Sequence, residues 1–238
     1  MAFEPTSTPY RCAVYFVPAP ESLWWHAGST WLGRCAASGD RTPALDIDGV
    51  DSLVLEACTA EPRRYGWHAT LKAPFILAAD QTMDTLCARV REVAASFQAF
   101  DLPALRVSAQ GDFLALRPVG DVTRIHAVAA ACVTRLQALS APLSAAELSR
   151  RRLAPLTPEQ DRLLLEWGYP WVLSHFQFHM SLTGRLNALR PAERAALMQA
   201  AQVHFESLPV CRFSHLALFT ESLPGSDFKL LEHMALQA

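Results

Sequence analysis

Two stretches of the chain, "YGWHATLKAPF" at residues 65–75 and "FQFHMSLTGRL" at residues 176–186, share one pattern. In both, an aromatic residue precedes a histidine, and an apolar residue, a hydroxyl residue and a leucine follow it. The alternation of apolar and polar residues predicts a strand in each case, at about 65–77 and 174–185.

Successive side chains of a strand point to opposite faces, so the pattern predicts which residues share a face. In the first stretch His68, Thr70 and Lys72 are expected on one face, with the aromatic and apolar residues on the core face. In the second stretch His179 and Ser181 are expected to face away from the core. Each strand then presents an imidazole and a hydroxyl group to whatever lies over the sheet.

The sequence downstream of each stretch is repeated as well. A predicted helix follows each one and ends before the pattern Leu-Pro-x-x-Arg-x-Ser, at residues 102–108 and 208–214. Each half then reaches an Asp-Phe pair that opens its last predicted strand. Duplication of this order predicts two similar units related by a pseudo-two-fold axis.

The expected fold is therefore α+β, with two antiparallel sheets that face a central groove and helices outside. We expect a single domain over residues 1–238, made of two lobes with His68 and His179 in equivalent positions. The remaining predicted elements include a strand at 10–18, a helix at 20–33, a loop at 38–63 with one short helix around "VDSLVLEA", a helix capped by Asp80, and helices begun by Ser144-x-x-Glu147 and Thr157-Pro158-x-Gln160.

Bulk composition narrows the class of protein. The 238 residues are 51% hydrophobic, with a net charge of -2 and a pI near 6.4. That is enough apolar material for a substantial core, and it gives no strong field for nucleic acid or an anionic membrane. The sequence contains no run of about 18 apolar residues, the pattern that would predict a membrane span. The start, "MAFEPTSTPY", lacks the features of a signal peptide, so we expect a cytoplasmic protein without a membrane or nucleic-acid partner.

The six cysteines are scattered along the chain without a close pair. A zinc site usually shows Cys-x-x-Cys-like spacing, which is not found here. We therefore expect reduced thiols and neither a metal nor another cofactor.

Two histidines and two hydroxyl groups across a groove suit phosphoryl chemistry. A neutral imidazole is a base and an imidazolium is an acid near pH 7, so one of each can activate a nucleophile and protonate a leaving oxygen. Hydroxyl groups at Thr70 and Ser181 can donate hydrogen bonds to phosphoryl oxygens. A lone His-x-Ser/Thr is a weak signal, and the competing interpretation places both histidines on a hydrogen-bonded sheet face without chemistry. The duplicated order favours a functional site.

Four further residues are candidates for substrate binding. Lys72 shares the predicted face of His68 and is a candidate for a second phosphate, although a solvated lysine is the alternative. Arg11 and Tyr15 share one face of the first strand. Tyr169, in "WGYPWV", is a candidate wall of the groove, or else part of an ordinary core. The arginine run at 150–152 is interpreted as a solvated helix face, and five other histidines as structural: His26, His126, His204, His215 and His233. His175 shares the predicted face of His179 but lies four residues, roughly 13 Å, away along a strand.

The two histidine motifs, His68-Ala69-Thr70-Leu71 and His179-Met180-Ser181-Leu182, resemble those of the 2H phosphoesterase superfamily. The similarity extends to its DUF1045 family through the following stretches: "WLGR", "YGWHATLKAPF", "FLAL-P", "LSRRRLAPLTPEQ", "WGYPWV" and "FQFHMSLTGRL". Trp67 stands where Phe is expected and Ser181 where Thr is usual.

This resemblance implies a bilobal LigT-like α+β fold, metal-independent phosphoester chemistry and His68, Thr70, His179 and Ser181 as catalytic residues. Members of the family lie in phosphonate-utilisation operons, which implies a small sugar cyclic phosphate as substrate. Hydrolysis of 2′,3′-cyclic nucleotides, processing of RNA ends, including ligation, and non-catalytic binding of a phosphorylated metabolite stay open as alternatives. The sequence does not distinguish the acid from the base or define the oligomeric state.

Overall fold

A computed structural model describes residues 9–43 and 45–238 of the chain. Helices and strands are intermixed along these residues, with two short 3-10 turns. The helices are α1 Leu23–Leu32, α2 Ser52–Tyr65, α3 Met83–Ala94, α4 Thr123–Leu136, α5 Ala145–Arg151, α6 Pro158–Trp167 and α7 Pro191–Glu206. The strands are β1 Arg11–Phe16, β2 Ala69–Phe75, β3 Phe100–Asp101, β4 Ala104–Gln110, β5 Phe113–Val119, β6 Met180–Ser181, β7 Arg212–Phe213, β8 His215–Glu221 and β9 Phe228–Ala235.

The strands form two antiparallel sheets of unequal size, and the predicted α+β class is confirmed. Seven strands make the main sheet in the order β4-β5-β6-β2-β1-β8-β9, and β3 pairs with β7 in a small second sheet. The two motif strands, β2 and β6, are therefore neighbours in the middle of the main sheet. The hairpin that follows the first motif, β4-β5, pairs with the strand of the second motif, so the two halves of the sequence interleave.

Helix boundaries follow local capping chemistry. Helix α6 begins as predicted, with Pro158 at the first helical position, and Thr157 and Gln160 form a reciprocal capping box there. The Ser144 hydroxyl accepts the Glu147 amide at the start of α5. The prediction that Asp80 caps the next helix is wrong. The cap is Thr82, whose side chain accepts the Thr85 amide, and α3 begins at Met83.

Helix α2 is longer than the sequence predicts, because it continues through Pro62. A proline in a helix leaves the carbonyl four residues earlier without its usual donor. That carbonyl, of Cys58, instead accepts the amide of Gly184 at 2.6 Å. The contact ties α2 to the chain that follows β6.

Strand β6 is much shorter than the predicted strand at 174–185. It pairs with β2 through Ala69 and Met180 alone, because β2 begins only after the turn at Gly66 and carries an extra residue beyond Thr70. Upstream, the residues Leu173–His175 form a 3-10 turn.

Strand β1 is buried on both faces and separates two cores. Cys12, Val14 and Phe16 face the larger core, which α1, α2, α3, α4 and α7 cover. Ala13 and Tyr15 belong to a smaller cluster on the other face. The alternation predicted for this strand is confirmed, and it defines the face on which Tyr15 meets β2.

Within residues 9–43 and 45–238, the structure contains no helix with the length and apolar character that a membrane crossing requires.

Candidate active site

A cavity of about 500 Å³ lies over the centre of the main sheet. His68, Thr70, His179 and Ser181 all line it, so the structure brings the four predicted catalytic residues together. Thr70 and Ser181 lie on the neighbouring strands β2 and β6, and His68 and His179 directly precede these strands, so the strand pairing determines their arrangement.

The register between β2 and β6 places unlike groups opposite each other. Ala69 faces Met180 in this antiparallel pair, so His68 lies beside Ser181 and Thr70 lies beside His179. Residues on the diagonal of such a pair have Cβ atoms about 7–8 Å apart. The two imidazoles therefore occupy one diagonal and the two hydroxyl groups the other.

Both imidazoles are fixed by the same kind of hydrogen bond. His68 Nδ1 lies 2.8 Å from the Gly66 carbonyl oxygen, and His179 Nδ1 lies 2.9 Å from the Gln177 carbonyl oxygen. A carbonyl oxygen only accepts, so each Nδ1 carries a proton and donates it. In the neutral ring Nε2 then holds the lone pair that acts as a base.

The surroundings of His68 favour its neutral form. Its ring lies 4.1 Å, centroid to centroid, from that of Tyr15, a residue with no exposed surface. The pKa of His68 is lowered to about 4, chiefly by burial; the bond to Gly66 opposes this change and the nearby His179 adds to it. At neutral pH and without ligand, His68 is an uncharged imidazole.

His179 lies in a different environment. The Phe113 ring is 5.8 Å away, and Arg117 is its cross-strand neighbour on β5, one position beyond the pair Leu116–Met180. Burial lowers the pKa of His179 and the Arg117 charge adds to this, while the bond to Gln177 opposes it. A bound phosphate would favour protonation of either ring, because its negative charge stabilises the imidazolium.

Three of the four predicted substrate-binding residues line the same cavity: Arg11, Tyr15 and Tyr169. Arg11 donates from Nε to Glu221, a carboxylate with no exposed surface, at 2.5 Å. The Tyr15 hydroxyl is buried and has no hydrogen-bond partner among the described residues. An unpaired buried hydroxyl costs free energy, which a ligand that bonds to it would offset.

The prediction that Lys72 shares the face of His68 and Thr70 is wrong. Thr70 pairs with Tyr15 across β1 and β2, but the next pair is Lys72 with Val14, so β2 carries one extra residue between them. A bulge of this kind reverses the alternation. Lys72 therefore points to the helix-covered face, where its Nζ donates to Gln137 Oε1 at 2.9 Å. Burial there lowers the pKa of Lys72 to about 8.

The cavity also contains residues that the sequence did not assign to it. Arg150 and Arg151 line it, although the run to which they belong was interpreted as a solvated helix face. Tyr65, expected in the core, ends α2 with its ring 5.9 Å from that of His68. In the sequence, the arginine cluster and the motif "WGYPWV" were the only signals for this part of the cavity. Neither shows that these residues approach β2, because that approach depends on tertiary packing.

No three His, Cys, Asp or Glu side chains of the described part are placed to share a metal ion. The cavity lining carries imidazole, hydroxyl, phenol and guanidinium groups together with the carboxylates of Glu61 and Asp112.

Sequence comparison identifies relatives of the chain. The model of a family described as a protein of unknown function, DUF1045, matches residues 70–229. That range contains Thr70, His179 and Ser181 and begins two residues after His68.

Two curated relatives are named ribose 1,5-bisphosphate phosphokinase PhnN. The protein from Janthinobacterium sp. (strain Marseille) is 38% identical over 222 residues, which are 92% of this chain and 49% of the relative. The protein from Laribacter hongkongensis (strain HLHK9) is 34% identical over 230 residues, which are 92% of this chain and 50% of the relative. The chain thus spans about half the length of the curated relatives it matches.

Structure comparison finds LigT of E. coli in two crystal structures. The complex with 3′-AMP has a TM-score of 0.42 and 11% identity, and covers 97% of this chain and 100% of that chain. The complex with NADP+ has a TM-score of 0.40 and 11% identity, and covers 98% and 100%.

Proposed function

Because the chain belongs to the DUF1045 family, whose function is not known, we propose from its own geometry that it is a cyclic phosphodiesterase of the two-histidine type. One observation carries the proposal. His68 and His179 lie diagonally across one cavity, and each donates from Nδ1 to the backbone carbonyl two residues earlier. This leaves two oriented Nε2 atoms for proton transfer on either side of a phosphorus atom.

In the proposed reaction a water molecule attacks the phosphorus of a cyclic diester. His68 Nε2 takes the proton of that water, which its low pKa in the free cavity suits because the ring is then neutral. The phosphorus–oxygen bond to the leaving sugar oxygen breaks, and protonated His179 gives its proton to that oxygen. The product is a phosphomonoester, and solvent restores the two protonation states.

The hydroxyl groups of Thr70 and Ser181 are proposed to bind the non-bridging oxygens. Each lies beside one histidine across the β2–β6 pair, so both can reach a phosphoryl group held between the rings. Donors in such positions stabilise the charge that develops in the transition state, and the two proton transfers are each worth about 10²–10⁴-fold.

The names of the curated relatives support a sugar phosphate as substrate. They refer to a kinase that acts on ribose 1,5-bisphosphate, and this chain matches about half of each relative. The chain contains no Gly-Lys dipeptide and therefore no Gly-x-x-x-x-Gly-Lys-Ser/Thr loop for ATP phosphates. We therefore propose that it supplies a separate step on a small sugar cyclic phosphate in phosphonate metabolism.

Phosphorus NMR of the purified chain tests this proposal. The substrates are pentose cyclic phosphates and 2′,3′-cyclic nucleotides, all in the presence of EDTA, with the double variant H68A/H179A as control. We expect the pentose cyclic phosphate to become a monoester with the wild-type chain alone. Turnover of cyclic nucleotides alone would favour the alternative function, processing of RNA ends. Ligand binding without any product would indicate a non-catalytic module.

A further inference from the structure

The arginines of the cavity differ in how their charges are compensated. Three of the four have an acidic partner: Arg11 with Glu221 at 2.5 Å, Arg150 with Glu147 at 3.5 Å and Arg185 with Asp112 at 3.7 Å. Arg151, the fourth, forms no ion pair with any residue that the structure describes. Of these four arginines, Arg151 is therefore the one that could pair with an anionic ligand without first breaking an ion pair.

The Arg151 side chain lies at the cavity wall, and its Nε, which is buried, makes no hydrogen bond to the described part of the protein. The guanidinium lies 5.6 Å from the centre of the Tyr169 ring, a contact that orients its plane. Burial lowers the pKa of Arg151, and Glu147, which acts on it at longer range, is engaged by Arg150. An anion would offset this burial cost.

Arg151 lines the same cavity as His68, Tyr15 and Tyr169. Tyr169 contacts Arg151, and Arg11 and Tyr15 both contact the Phe228 ring. The Tyr15 ring lies against that of His68, whereas Arg117 and Phe113 lie near His179. The cavity therefore has a cationic, tyrosine-lined end next to one histidine. The unpaired Tyr15 hydroxyl lies at this end as well.

We propose that Arg151, together with the Tyr15 hydroxyl, binds a second anionic group of the substrate, a phosphomonoester, while the cyclic phosphate lies between the histidines. The inference rests on the proposed function and narrows it to cyclic phosphates of phosphorylated sugars. A planar guanidinium without an acidic partner suits bidentate recognition of a phosphate.

A matched pair of substrates tests the subsite during turnover. We would compare ribose 1,2-cyclic phosphate with the same compound phosphorylated at the 5-position, in the wild-type chain and in R151Q, R151K and R152Q. Arg152 is the control because its guanidinium pairs with Asp161 at 2.7 and 2.9 Å on the exposed surface. We expect the 5-phosphate to raise kcat/KM by about 10–100-fold in the wild type and R152Q, and by almost nothing in R151Q. In R151K, which keeps the charge without the fork, we expect part of the preference.

A binding measurement keeps the subsite testable if the chain proves not to be a hydrolase. Calorimetry would compare ribose 1,5-bisphosphate with ribose 1-phosphate in wild type, R151Q and R152Q. Tighter binding of the bisphosphate that R151Q alone abolishes supports the subsite. Equal affinity of wild type for both ligands, or an equal loss for both ligands in R151Q, overturns it. Failure of turnover with an intact bisphosphate preference would count against the hydrolase proposal alone.

Discussion

His68 and His179 make the same backbone contact, but the structure supports that contact in different ways. The carbonyl that holds His68 belongs to Gly66, the buried residue that caps the C-terminus of α2, and the His68 ring lies against that of Tyr15. The carbonyl that holds His179 belongs to Gln177, an exposed residue. The Gln177 side chain accepts hydrogen bonds from Gln110 and Arg117. The carbonyl that anchors one histidine is thus part of the packed interior, and the carbonyl that anchors the other belongs to an exposed residue. The difference suggests distinct roles, with His68 as the neutral base.

Removal of either imidazole should have the largest effect. We expect H68A and H179A each to lower kcat by about 10²–10⁴-fold on a cyclic phosphate, because each removes one proton transfer. Steady-state kinetics across pH would separate the two roles. Loss of the base should remove the acidic limb of the bell-shaped profile, and loss of the acid the basic limb.

His126 offers a matched control for these substitutions, because it contacts the Phe176 ring and does not line the cavity. H126A should keep its activity. Undiminished turnover in H68A or H179A would contradict the two-histidine mechanism.

The sequence predicted which motif residues meet in the cavity better than it predicted the residues around them. His68, Thr70, His179 and Ser181 follow from alternation and from a repeated motif, which are properties of short stretches. Lys72 could not be placed, because a single extra residue in β2 reverses its face and depends on pairing with β1.

The same limit applies to longer-range features. The arginine run at 150–152 has two residues in the cavity and one on the surface, a division that arises from how α5 packs. The length of α2 depends on Gly184, which donates to the carbonyl that Pro62 leaves without a donor, and no local pattern contains that contact.

The two anchoring carbonyls should respond unequally to substitution. Gly66 has φ 80° and ψ 177°, a region essentially restricted to glycine, and an added Cβ would lie 2.5 Å from the Ala36 Cβ. We expect G66A to lower the free energy of unfolding by about 1–3 kcal/mol and, through displacement of His68, to lower kcat by up to about 10²-fold. Q177A keeps its carbonyl and should stay within about 0.5 kcal/mol of wild type.

Urea unfolding and kinetics would test this contrast, with G49A as a control for strain alone. Gly49 also has a positive φ, of 78°, but an added Cβ would make an ordinary contact of 3.8 Å with Ala196. It should lose stability without losing kcat. A G66A variant with normal kcat would show that the Gly66 carbonyl does not position His68.

The smallest expected effect is a difference in how stability depends on pH. The pKa of His68 is about 4 in the folded chain, against an ordinary value of 6.5, chiefly because the ring is buried. Between these two values the unfolded chain binds more protons, so stability is present above pH 6.5 and falls as the pH drops toward 4. The H68N variant, which cannot titrate, should therefore lose less stability on acidification.

Urea unfolding at several pH values between 7 and 4.5 measures this difference as a number of protons. His179, His215 and His233 also have lowered pKa values, so wild type and H68N share a background slope of the same sign. We expect H68N to differ from wild type by at most one proton, and H179N by less, because only His68 stacks on a fully buried tyrosine. Equal slopes for wild type and H68N would mean that the His68 ring is protonated as easily in the folded chain as in the unfolded one. The proposed contrast, between a histidine anchored on a buried residue and one anchored on an exposed residue, would then be contradicted.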